Sequence, residues 1–98
     1  MAIDRGLLAI LKAKPDKADE LGAFLKQGRE LAVQEAGTVT WYAFRLDDTT
    51  YGIFDTFESE DARQAHVNGQ IPAALQQVGS DLLASDPDIK PIDVLAVK

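Results

Sequence analysis

The chain contains a single histidine, His66, in the run Asp61-Ala62-Arg63-Gln64-Ala65-His66. Three- and four-residue steps put Ala62, Ala65 and His66 on one helical face. An imidazole titrating near neutral pH, with small alanines leaving room beside it, suits a general base or a hydrogen-bond partner for a hydroxylated ring. On an apolar helix face a lone histidine is more often a satisfied structural group. Its role therefore turns on what it meets. Asp55 is the second candidate, a carboxylate set within Ile53-Phe54-Asp55-Thr56-Phe57. Burying it is costly unless it is paired or reaches water. Tyr42, Phe44 and Phe57 are core aromatics on the simplest reading, and walls for an aromatic ligand on the sharper one. The expected catalytic residues are His66 and Asp55, and the expected substrate-binding residues are Tyr42, Phe44 and Phe57.

Other chemistries find no residues to carry them. There are no cysteines, so disulfides, thiolate metal sites and cysteine nucleophiles are excluded. One histidine offers no pair for a metal, and neither a Gly-rich phosphate loop nor a Ser-His-Asp arrangement is present. No metal and no cofactor are expected. With 16 acidic against 10 basic residues the net charge is -6, which argues against nucleic acid as a partner. No apolar run reaches the length of a membrane span and the N-terminus lacks a signal-peptide pattern, so a cytoplasmic location is the default expectation.

The elements that must position these residues centre on Gly37 to Phe57, GTVTWYAFRLDDTTYGIFDTF. Two β-branched and aromatic runs flank Asp47-Asp48-Thr49-Thr50, which reads as a β-hairpin with a four-residue loop. Leu46 then faces Tyr51, Phe44 faces Ile53, and Tyr42 faces Asp55. Alternation places Tyr42, Phe44, Asp55 and Phe57 on one side, with Trp41, Ala43, Arg45, Phe54 and Thr56 on the other. Both sides are apolar enough to need a cover.

Around the hairpin, Gly6–Lys14 reads as a strand buried on both faces. A helix is expected over 16–36, capped by Asp16, ended by Gly37, and carrying a stripe of Ala18, Leu21, Phe24, Leu25, Gly28, Leu31 and Ala32. Ser59 caps a second helical stretch over 59–84, broken at Asn68-Gly69, with Pro72 in the first turn after the break. Asp86-Pro87-Asp88 reads as a loop and Ile92–Val97 as the last strand. The order is β-α-β-β-α-β in one domain over 1–98, an α+β ferredoxin-like plan with a four-stranded antiparallel sheet. Right-handed crossovers put both helical stretches on one face. The other face is left apolar and bare, so a homodimer packed sheet against sheet is expected.

Size, order and the phrases Glu35-Ala36-Gly37, Trp41-Tyr42, Ile53-Phe54-Asp55-Thr56-Phe57 and Ala65-His66 resemble the antibiotic biosynthesis monooxygenase family of dimeric α/β barrels. The resemblance spans essentially the whole chain. Family members commonly carry Pro-Gly before the second strand, where Ala36-Gly37 stands, and Glu-x-Trp at the end of the third, where Asp55-Thr56-Phe57 stands. It implies a cofactor-independent monooxygenase acting with O2 on a small hydroxylated aromatic, polyketide or quinol between helices and sheet. Phe57 in place of Trp removes an indole N–H that could have touched a substrate. Two other readings fit the same fold. One is a non-catalytic ligand-binding or stress-response dimer; the other is a haem-binding or haem-degrading relative with His66 as the only histidine to serve as axial ligand. On the catalytic reading, His66→Ala is expected to cost more in turnover than in stability.

Overall fold

The computed structural model describes residues 3–98. Four strands, β1 (Arg5–Lys12), β2 (Thr38–Arg45), β3 (Thr50–Phe57) and β4 (Asp88–Asp93), form one antiparallel sheet in the order β2-β3-β1-β4. Helix α1 (Ala18–Ala32) joins β1 to β2, and helices α2 (Glu60–Val67) and α3 (Gln70–Leu82) join β3 to β4. This is the expected ferredoxin-like βαββαβ arrangement, with the second crossover broken where Asn68-Gly69 predicts it. Asn68 ends α2 and Gly69 precedes the first residue of α3.

The core lies between sheet and helices. Leu11 of β1 and Tyr51 and Ile53 of β3 pack against Leu21 and Leu25 of α1 and Leu75 and Leu82 of α3. Fully burying one such aliphatic side chain contributes about 1.5–3 kcal/mol. Ser59 caps α2 as predicted, its Oγ accepting from the Ala62 N–H at 3.1 Å.

Helix α1 starts and stops inside the expected 16–36 span. Lys14 to Lys17 close a turn first, with the Lys17 N–H donating to the Lys14 carbonyl at 2.9 Å, and Pro15 preset for its second position. Asp16 is thus used by the turn, and Lys17 occupies the N-cap without a side-chain cap. At the other end the helix gives way at Val33 to a series of tight turns ending at Thr38, so Gly37 does not terminate it.

The hairpin loop has five residues rather than four. Arg45 pairs with Tyr51, Ala43 with Ile53 and Trp41 with Asp55. The cause is local: Asp47 Oδ1 accepts from the N–H groups of Thr49 (3.0 Å) and Thr50 (2.8 Å), while the Leu46 N–H donates to the Thr50 carbonyl. An odd loop turns β2 over relative to β3. Trp41 and Ala43 therefore face the helices with Asp55 and Ile53, and Tyr42 and Phe44 face away from them. Tyr42 stacks on Phe54, and Phe44 lies across Gly52, where any Cβ would meet its ring.

The last strand also shifts. It covers Asp88–Asp93 instead of Ile92–Val97 because its partner β1 begins at Arg5, which pairs with Asp93. Pro91 lies inside it, tolerated because β4 is an edge strand. Among the described residues, no helix is long and apolar enough to cross a membrane.

Candidate functional site

Three elements converge under α2. Its last turn carries His66, β3 carries Asp55 on the helix-facing side, and the connection from α1 to β2 carries Glu35. His66 Nδ1 lies 2.6 Å from Glu35 Oε1, and His66 Nε2 lies 3.0 Å from Asp55 Oδ2. The imidazole is thus held between two carboxylates. Phe57 braces it from the side, the two ring centroids 5.2 Å apart and tilted by 48°.

Burial falls off outward. Asp55 is 1% exposed, the His66 side chain 7% and the Glu35 side chain 21%. The Asp55–His66 contact is at ion-pair distance, and among the described residues no other group hydrogen-bonds either Asp55 oxygen. Glu35 Oε1, by contrast, also accepts from Thr38 Oγ1 at 2.7 Å. Burial pushes the His66 pKa down, yet the hydrogen-bonded and coulombic pull of Asp55 and then Glu35 outweighs it and leaves the imidazole above its ordinary value. The charged form is favoured because it alone compensates Asp55 in the interior.

Asp55 and His66 form the polar floor of a cavity of about 90 Å³, walled by apolar side chains including Leu7, Ile53, Ile71 and Leu75. That is small beside the 300–1,000 Å³ of typical ligand pockets, so it takes in no more than part of one ring of a ligand. A wider, shallower groove of about 560 Å³ runs between α1 and the hairpin, beside Gly22, Lys26, Arg45 and Tyr51. It shares no lining residue with the His66 cavity, and the tightly coupled acid–base groups lie in the smaller one.

Of the residues expected from sequence, His66, Asp55 and Phe57 meet. Tyr42 and Phe44 do not: the five-residue loop carries them to the uncovered face of the sheet, where Tyr42 is 58% exposed. In their place the same turnover brings Trp41 beside Asp55, with its Nε1 buried and without a hydrogen-bond partner. Glu35 was not an expected site residue, since a contact across 31 residues between a connection and a helix leaves no mark in local spacing. Among the described residues, no group of three or more His, Cys, Asp or Glu side chains is arranged to hold a metal ion.

Comparison with known proteins sets this site in context. The family model described as "Antibiotic biosynthesis monooxygenase" matches residues 6–77. A protein of unknown function from Nitrosomonas europaea is 42% identical, superposes with a TM-score of 0.96, and is matched over 98% of this chain and 93% of its own. A provisionally named antibiotic biosynthesis monooxygenase from Caulobacter crescentus shares the fold at 23% identity and a TM-score of 0.80, over 96% of this chain and 92% of its own. A second protein so named, from Nitrosomonas europaea, does so at 13% identity and a TM-score of 0.83, over 97% and 93%. No curated protein matches the chain.

Proposed function

The chain belongs to the antibiotic biosynthesis monooxygenase family, and on that footing we propose that it is a cofactor-independent monooxygenase oxidising a small hydroxylated aromatic, polyketide or quinol with O2. The observation that carries the reading is Asp55. It is a buried carboxylate, compensated by one imidazole and opening onto an apolar cavity. A buried carboxylate whose described side-chain partner is a single imidazole, and which borders a cavity, is suited to accept a proton from a ligand held there.

For a substrate whose reactive carbon is a methylene activated by phenolic rings, Asp55 takes one proton and leaves a carbanion. That anion reduces O2. One oxygen atom remains on carbon as a carbonyl, and the other departs as water with the second hydrogen and the proton returned by Asp55. His66 fixes the carboxylate, while the apolar walls exclude bulk water. Positioned acid–base catalysis of this kind contributes about 10²–10⁴-fold in rate.

The test is O2 uptake with a panel of hydroquinones and hydroxyanthrones. The wild type should consume O2 with at least one, and Asp55→Asn should lower kcat by about 10²–10⁴-fold with the fold intact. Failure of every panel member to bind or to consume O2 would end the oxygenase reading. Binding without O2 uptake would favour the ligand-binding alternative.

The working unit on this reading is a homodimer joined through the uncovered sheet face. That face carries Leu8, Ile10, Tyr42, Phe44, Phe54 and Ile92, placed there by the strand registers, while the helices occupy the opposite side. An apolar surface of this kind, on one contiguous sheet, favours an isologous partner.

A further inference from the structure

We propose that Glu35 is a positioning residue for proton transfer at Asp55: its carboxylate fixes the His66 ring toward Asp55 and offsets the charge of that imidazolium. This deepens the oxygenase reading and rests on Asp55 as the proton acceptor. The geometry that supports it is built from both ends of the contact. Thr38 Oγ1 donates to the same Glu35 oxygen that meets His66 Nδ1, which fixes the carboxylate. The backbone at Gly37 presses on Ala62 of α2, which brings the connection against the helix one turn from His66.

The charge balance explains why a second carboxylate matters. One imidazolium between two carboxylates carries a net charge of about -1 at rest and reaches neutrality when Asp55 accepts a proton. Without Glu35 the same step would take a neutral pair to a net positive charge beside an apolar cavity, which is costly. Nothing else described near the ring substitutes for it. On α2, Arg63 is turned toward Glu60 and the Gly6 carbonyl. On α3, the cavity neighbours of His66 are the apolar Ile71, Pro72 and Leu75. Among the described residues, the ion-pair partners of the imidazole are Asp55 of β3 and Glu35 of the α1–β2 connection.

Because His66 is the chain's only histidine, its ring C–H resonances give a single NMR titration curve. Glu35→Gln keeps the shape of the side chain and removes its charge. The expected result is a titration midpoint about one pH unit or more below that of the wild type, and a kcat for quinol-dependent O2 uptake lowered about tenfold or more with little change in KM. Thr38→Val, which keeps the carboxylate and removes its anchor, should move both in the same direction by less, and it carries the decision if Glu35→Gln does not fold. An unchanged midpoint overturns the proposal whatever the turnover. A lowered midpoint in a protein whose wild type consumes no O2 would leave the coupling standing and sink the oxygenase reading alone.

Discussion

A Cβ on Gly37 would lie 2.5 Å from the Cβ of Ala62 and 3.3 Å from its Cα, so the connection after α1 rests directly on the backbone of α2. Glycine is required there by proximity and not by a left-handed φ, since no described residue has a positive φ. Gly37→Ala must push the two segments apart. Overpacking of this kind costs about 1–3 kcal/mol, and each kcal/mol lowers Tm by about 4–8 °C in a domain of this size. A thermal melt should show that loss, and the His66 titration midpoint should fall with it as Glu35 is carried away.

His66→Ala should destabilise strongly. The imidazole is paired on both nitrogens, and its removal leaves Asp55 buried without compensation, a change that costs on the order of 3–5 kcal/mol. The sequence-based expectation, that the substitution costs more in turnover than in stability, is tested by measuring both losses in the same variant. The cleaner probe of chemistry is Asp55→Asn, which removes the buried charge together with the need to compensate it. Denaturant midpoints of the two variants should differ accordingly, with His66→Ala far the weaker.

The pH dependence of stability has a definite sign. The folded-state pKa of His66 is raised above 6.5, so the folded protein binds the proton more tightly than the unfolded chain. That contribution is complete below about pH 6.5 and is lost as pH rises through the folded value. Wild-type Tm should therefore decline from near-neutral into mildly alkaline pH. In Asp55→Asn the imidazole has lost one of the groups that raise it, and the decline should be shallower.

Tyr42 and Phe54 stack on the uncovered sheet face with centroids 6.5 Å apart. Tyr42→Glu places a charge in the middle of that face. Sedimentation at micromolar concentration should show the wild type at about twice its 10.6 kDa chain mass and the variant shifted toward the single chain. A wild type that sediments as one chain would remove the homodimer from the proposal.

The β-α-β-β-α-β order was legible because periodicity, the Ser59 cap and the Asn68-Gly69 break all act locally. The hairpin register was not, for a physical reason. Trp41, Ala43, Tyr42 and Phe44 make both sides of β2 apolar, so alternation could not choose between them. The choice fell to Asp47, whose side chain holds the backbone of Thr49 and Thr50 in a five-residue loop. One carboxylate in a turn thereby decided that Trp41, not Tyr42, stands beside Asp55. The site was legible in part: His66, Asp55 and Phe57 meet as their helix and strand assignments allow. Glu35 was hidden because its contact depends on how closely two segments pass at Gly37 and Ala62, and pattern alone does not encode that distance.

Pro91 bears on a different property, the resistance of the sheet to growth. Leu7 is its partner in β1, and Leu8 and Lys90 are the next pair along. A proline sits in such a ladder without breaking it when its nitrogen points outward, away from β1, at a place where an incoming strand would look for a donor and find none. The β4 edge is therefore a poor template for strand addition by another chain, and Asp88, Lys90 and Asp93 add charge along it. At high concentration or during slow refolding, when unpaired edges recruit neighbours into fibrils, this margin of the molecule is protected by its own covalent chemistry.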